Sequence, residues 1–469
     1  MDRRKFFKIG TTAALGTTLL RPLEGFANTS VSGDDALGEA KNIIILVSDG
    51  MSQGTLSLTD IFINRQQGVS SNWLNLYKEQ KVTRAMMDMA SANAIVTDSA
   101  AASSSWGSGY RVNNGSINIG VNKEKYTPIW LKFKKAGKKA GCVTTVAITH
   151  ATPAGFMANS DKRNAQDDIA EQYLEHEYDV LFGGGDKFFS AEYRKDKKDL
   201  YKAFKTKGYQ IVKDTTSLER LSKTKALGIF ANDALPYNID LLTDSDARAK
   251  IPTLAQMTQK AIELLNTSSN GFVLQVESGK VDWAAHANDL GALIYEQIAI
   301  DQAVKVAVDF AIKDKNTLVI LTTDHGNANP GLIYGKKTNE NFDAVRHYIH
   351  SNEWILNQFS ENSTIEQIIS TIKKANGFEI TQEQAQRLLS YYQNIERSED
   401  GLYNYKKLPY KSFSLIQQEY NSVGWIGMDH SSDYVELAMF GPGSQNLKPF
   451  IKNTDLHYFM LEVCGVKSL

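Results

Sequence analysis

The chain reads as an α/β protein with a large, mostly parallel central sheet and helices on both faces. Three observations predict this. Short apolar, β-branched runs recur along the sequence. Segments with apolar residues at helical spacing lie between them. The runs end repeatedly in carboxylates, hydroxyls or imidazoles. Continuous apolar strands are what a parallel sheet needs when crossover helices cover both faces.

In chain order the predicted strands are 42–48 (NIIILVS), 142–148 (CVTTVAI), 179–182 (DVLF), 227–231 (LGIFA), 271–276 (GFVLQV), 317–322 (TLVILT) and 434–440 (YVELAMF). Each is short, β-branched and bounded by turn-forming residues. Residues 129–138, 253–265 and 296–313 carry the 3.6-residue period of helices. From 328 to 423 the pattern turns helical and polar, at 344–359, 364–374 and 381–392, with a charged, tyrosine-rich stretch at 394–413. That interval is expected to be a helical insertion into a catalytic domain spanning 28–469.

Composition excludes several classes. The 469 residues hold 52 Lys+Arg against 53 Asp+Glu, a net charge of −1, so nothing favours a nucleic-acid partner. With 42% hydrophobic residues and only 9 Pro, the chain is not of disordered composition. No apolar run is long enough to span a bilayer as a helix, so no membrane anchor is expected. The start is distinctive: Arg3-Arg4 followed by Phe6 and Lys8, a mildly apolar stretch at 11–20, and small residues before a cleavage point after Ala27. This is the pattern of a twin-arginine-type signal peptide over 1–27, which predicts an exported, periplasmic or secreted protein that folds before it crosses. The two cysteines, Cys142 and Cys464, make no disulfide framework, and Cys142 lies in an apolar run that suits a buried thiol.

The chemistry is expected beyond the carboxyl ends of the strands, where open α/β sheets collect their ligands. The first run leads into Asp49-Gly50. The second leads into Thr149-His150-Ala151-Thr152-Pro153. GFVLQV leads into Glu277, with Asp282 and His286 following, and TLVILT leads into Thr323-Asp324-His325-Gly326. An Asp after a strand is ordinarily a turn or helix cap. Asp282 and His286, however, are four apart, a spacing that turns both to one side of a helix, and four strands delivering hard ligands to one edge is a pattern isolated caps lack. His430, just before the last predicted strand, is placed to complete the set. Ser99, in Thr97-Asp98-Ser99-Ala100-Ala101-Ala102-Ser103, stands at a predicted helix start. It is either an ordinary N-cap or a hydroxyl at the positive helix end, where a phosphate is favoured.

Taken in order and spacing, these segments resemble the alkaline phosphatases: Asp49-Gly50, TDSAAAS at 97–103, ATPA at 151–154 with Arg163 eleven residues after Thr152, ESGKVDWAAH at 277–286, TDHG at 323–326 and the His430 segment. The resemblance covers essentially the whole chain after the signal, apart from 328–423. It implies hydrolysis of phosphate monoesters through a phosphoserine on Ser99. One zinc would be held by Asp282, His286 and His430, and a second by Asp49, Asp324 and His325. A magnesium would be held by Asp49, Thr152 and Glu277. Arg163 would clamp the phosphate, oriented by Asp98. The resemblance also allows a homodimer. His150 and Trp283 depart from some members, which carry Asp and Lys there. These two side chains are expected beside the substrate and the third ion, and His150 leaves that ion's identity open. Arg163 and the third ligand set favour monoesters over diesters or sulfate esters.

Overall fold

A computed structural model describes residues 39–397 and 402–467. The signal-peptide reading of 1–27 lies outside the described residues.

The strands, in chain order, are β1 (Asn42–Ser48), β2 (Thr83–Asp88), β3 (Lys139–Ala147), β4 (Val180–Gly184), β5 (Gln210–Val212), β6 (Ala226–Ile229), β7 (Phe272–Ser278), β8 (Thr317–Thr322), β9 (Gly326–Asn327), β10 (Pro330–Leu332), β11 (Val423–Trp425), β12 (His430–Ser431), β13 (Val435–Phe440) and β14 (Phe450–Lys452). Ten form one sheet, in the order β14-β2-β13-β8-β1-β7-β3-β4-β6-β5. Only β13 runs against its neighbours, pairing antiparallel with β2 and β8. The predicted α/β class with a mostly parallel sheet is therefore the observed one.

The period of two along each strand divides the interior into two cores. Ile44 and Leu46 of β1 join Leu274, Val276, Val319 and Leu321 on one face, beneath the helices Leu254–Leu265 and Leu290–Asp314. Ile43, Ile45 and Val47 join Val273, Leu318 and Ile320 on the other, beneath the helices Ser99–Ser108, Ala151–Met157 and Asn453–Val463. Burying one such side chain contributes roughly 1.5–3 kcal/mol. Both faces of β1 are covered, which is why it reads as an unbroken apolar run.

Seven strands were expected and each is present, with ends shifted by up to three residues. Within the ten-stranded sheet, the strands without a sequence signal, β2, β5 and β14, lie at or next to the edges. The side chains of β2 alternate between exposed and buried, and β5 and β14 have three residues each. Helix starts follow local chemistry. Thr253, Thr364 and Thr381 each open a helix with a capping box closed by Gln256, Gln367 and Gln384.

Residues 328–423 build a separate apolar cluster around Ile355, Phe359, Ile368, Ile372, Leu388 and Phe413. Antiparallel pairing of β10 with β11 joins its two ends. The helix expected over 344–359 is broken. A 3-10 turn, Ala344–His347, and a helix, Asn352–Asn357, are separated because Ser351 caps the second and Asp240 accepts both its N–H and its hydroxyl. Cys142 and Cys464 are free thiols, and Cys142 is buried with its Sγ donating to Gln275 Oε1 at 3.0 Å. No helix among the described residues is long and apolar enough to cross a membrane.

Candidate metal centre and nucleophile

β1, β7 and β8 lie side by side in register, so Asp49, Glu277 and Asp324 emerge together. Gly50 turns the chain sharply at φ +68°, and a Cβ there would fall 2.6 Å from Asp282 Oδ1. Only glycine satisfies both demands. The Gly50 N–H donates to Asp324 Oδ1 at 3.0 Å, tying the ends of β1 and β8 together.

Asp282 and His286 lie on the helix Lys280–His286, and β12 brings in His430. The two imidazoles converge with Nε2 atoms 3.1 Å apart. Asp282 reaches His286 Nε2 at 3.4 Å and His430 Nε2 at 3.5 Å. Each imidazole is anchored through its other nitrogen. His286 Nδ1 donates to the Met428 carbonyl at 2.6 Å, and His430 Nδ1 donates to the Thr97 carbonyl at 2.9 Å. Anchoring Nδ1–H to a carbonyl leaves Nε2 with a bare lone pair, the tautomer a metal ion requires.

In a second group, His325 Nε2 lies 3.3 Å from Asp324 Oδ2 and 3.6 Å from Asp49 Oδ1. A third combines Asp49, Glu277 and His150. Thr152 Oγ1 donates to Asp49 Oδ2 at 3.4 Å from the start of the helix Ala151–Met157. Thr144 Oγ1 donates to Glu277 Oε2. Among the described residues, Asp49 Oδ1, Asp324 Oδ2, Glu277 Oε1 and His150 Nδ1 are buried with no hydrogen-bond partner. A buried, unpaired carboxylate oxygen costs several kcal/mol in a protein interior unless a cation meets it. Three such oxygens converging on one edge fit divalent ions.

Ser99 is the first residue of its helix, and its Oγ lies 3.2 Å from His325 Nε2. The cap is Asp98, so the hydroxyl of Ser99 is not spent on capping the helix. Asp98 Oδ1 accepts the Ala101 N–H at 2.9 Å, while Oδ2 accepts the Gly115 N–H at 2.9 Å and Arg163 Nη1 at 3.0 Å. Arg163 Nη2 lies 3.5 Å from His150 Nε2, and the His150 and Trp283 rings are 6.2 Å apart. The helix stays close to its neighbour because both are built from small residues. A Cβ on Gly107 would lie 1.8 Å from the Gly155 carbonyl oxygen.

The charges compete strongly when no cation is bound. Burial, then repulsion by Asp324, Asp282 and Glu277, pushes Asp49 well above the usual carboxylate range. Burial raises Glu277 to about 8 and Asp324 to about 6. Burial also works against Asp282, but His286, His430 and His325 outweigh it and hold that carboxyl low. His430, buried yet bonded to Asp282, rises to about 9, whereas burial drives His325 down and His150 to about 3.

All thirteen residues singled out from the sequence thus gather beyond the carboxyl ends of the central strands. Sequence reasoning did not find Asn327, whose Nδ2 donates to Asp282 Oδ1 at 2.7 Å, or Thr144. It also missed the anchoring carbonyls of Thr97 and Met428. The nearest sequence signal for Asn327 is its place directly after TDHG.

The family described as alkaline phosphatase matches residues 40–466. Alkaline phosphatase 4 of Bacillus subtilis is 32% identical over 429 residues, covering 89% of this chain and 87% of that protein. The Escherichia coli alkaline phosphatase is 30% identical, covering 67% of this chain and 78% of its own. The crystal structure of Thermus thermophilus alkaline phosphatase superposes with a TM-score of 0.84 at 29% identity, covering 92% of both chains. The chain belongs to the alkaline phosphatase family and is a metal-dependent phosphomonoester hydrolase.

Proposed function

We propose that the protein is an exported alkaline phosphatase that cleaves phosphate monoesters through a phosphoserine on Ser99, at a site for two zinc ions and a third divalent ion. The observation that carries this reading is the position of Ser99 Oγ, 3.2 Å from His325 Nε2, beside carboxylate oxygens that have no partner.

Asp282, His286 and His430 would hold one zinc, and Asp49, Asp324 and His325 the other, mixed nitrogen and oxygen sets that suit that ion. Asp49, Glu277 and Thr152 would hold the third divalent ion, a place for which the family resemblance implies magnesium. His150 offers an imidazole nitrogen to the same place, which favours a borderline ion over magnesium. When bound, the ions supply positive charge for the entering and leaving oxygens and lower the pKa of an attacking hydroxyl.

The chain's own residues supply position. Arg163, braced by Asp98, grips two non-bridging oxygens of the phosphoryl group through its planar fork. Ser99 Oγ forms a bond to phosphorus as the ester P–O bond breaks, and the proton that Ser99 gives up ends on the departing oxygen, which leaves as the alcohol. Water then attacks the phosphoserine, returning inorganic phosphate and the Ser99 hydroxyl. The transition state is loose, so holding these groups in line contributes most of the rate. Because the phosphoryl group is the part gripped, the alcohol varies freely.

The signal over 1–27 supports export to the periplasm or beyond. The interval 328–423 is an insertion in the catalytic domain 28–469, and a homodimer is the assembly that fits the family. The test pairs metal content with substrate class. Purified enzyme should carry two to three divalent ions per chain, lose activity on chelation and regain it with zinc. Diester or sulfate-ester cleavage outrunning monoester cleavage would overturn the reading.

A further inference from the structure

We infer that Asn327 is a positioning residue for the first ligand group: its carboxamide fixes the Asp282 carboxylate in the orientation that meets the two imidazoles. The inference rests on reading that group as a metal site.

Asn327 is fully buried. Its Nδ2 donates to Asp282 Oδ1 at 2.7 Å and to the Asp282 carbonyl at 3.2 Å, so both amide hydrogens point at one ligand residue. Two acceptors on the same side also set which way the amide faces. Held there by the amide, Asp282 Oδ1 faces His430 Nε2 at 3.5 Å and Oδ2 is turned to His286 Nε2 at 3.4 Å. The backbone of Asn327 pairs with His430 in the β9–β12 ladder, and Asn327 follows His325 by two residues. One side chain and its backbone therefore join the supports of Asp282, His430 and His325.

The local chain is bent to achieve this. Ala328 and Asn329 follow at φ +51° and +41°, a left-handed conformation uncommon for residues other than glycine. Such a turn persists only where its surroundings hold it. Here the Ala328 N–H donates to the Asp429 carbonyl at 3.0 Å, and Asn329 Nδ2 donates to Asp433 Oδ2 at 2.5 Å. Asp429 directly precedes His430, so the same turn locks the strand that carries the second imidazole.

An amide also suits the chemistry. It donates hydrogen bonds without charge, so it orients the carboxylate without cancelling the negative charge a dication needs. A lysine or arginine in that place would compete with the ion.

The test uses Asn327→Ala and Asn327→Leu, the second keeping the branched shape of the side chain while removing its donor, so that a folded variant is available if the cavity left by alanine is not tolerated. Zinc affinity is read by competition with a chromophoric chelator, and site geometry by the visible absorption of the cobalt-substituted enzyme. The expected result is a 10–100-fold loss of affinity at the Asp282–His286–His430 group, with an altered cobalt band and unchanged affinity at the Asp49–Asp324–His325 group. Unchanged affinity and cobalt spectrum in a folded variant, whatever its melting temperature, would overturn the inference. A wild-type protein that binds no ion at the first group would instead overturn the metal reading itself.

Discussion

His430 and Thr97 are joined by a 2.9 Å hydrogen bond from the imidazole Nδ1 to the backbone carbonyl. Thr97 lies two residues before Ser99, so one bond links the first ligand group to the segment that presents the nucleophile. Holding the ring by Nδ1 aims Nε2 inward toward Asp282 and His286. The ligand geometry and the placement of Ser99 are thus set by the same contact.

Asp98 performs two tasks, capping the helix of Ser99 and bracing Arg163. Asp98→Ala should cost about 1 kcal/mol from the lost cap. It should also weaken inhibition by inorganic phosphate several-fold, because the guanidinium loses its acceptor. Metal content should stay at the wild-type value. Calorimetry, phosphate inhibition and metal analysis on one preparation separate the three effects, and tighter phosphate inhibition would contradict the bracing role.

The metal-free protein should become less stable as pH rises from about 6.5 to 9, the unperturbed histidine value setting the lower end. Glu277 at about 8 and His430 at about 9 both have folded-state pKa values above their unfolded ones. Groups raised in this way stabilise the fold at low pH, and that contribution is lost as pH climbs through the raised value. His150 and His325 are depressed, so their contribution changes only below about 6.5 and does not reverse the trend in this window. Binding a divalent ion removes these protons. Melting temperatures across this range should fall for chelated protein and hold steady for the zinc-loaded form. A chelated protein that gains stability with pH would contradict this assignment.

Gly107→Ala tests the close approach of the helices Ser99–Ser108 and Ala151–Met157. The new methyl group would overlap the Gly155 carbonyl oxygen. Overpacking of this kind costs about 1–3 kcal/mol. Since Ser99 and Thr152 ride on the two helices, kcat should fall along with the melting temperature. Wild-type stability would show that the helices part freely.

Much of the fold was legible because the central strands are buried on both faces and follow one another with helices between. β1 and β8 match their expected ranges residue for residue. The edges were not legible, since β2, β5 and β14 bury only part of their surface and leave no continuous apolar run. The break at Ser351 was hidden because it depends on Asp240, more than a hundred residues away. At the site, charged ligands announced themselves at strand ends. Asn327 and Thr144 did not, as each looks like any polar loop or strand residue until its partner is placed beside it. The carbonyls of Thr97 and Met428 leave no trace in sequence at all.

The proposed reaction depends most directly on Ser99 carrying the phosphoryl group. Enzyme mixed with a phosphate monoester and quenched in acid should yield one peptide, spanning Ser99, with the added mass of a phosphate. Ser99→Ala should lack it and turn over orders of magnitude more slowly with its metal content intact. Phosphate found on another residue, or near-normal turnover by Ser99→Ala, would contradict the account.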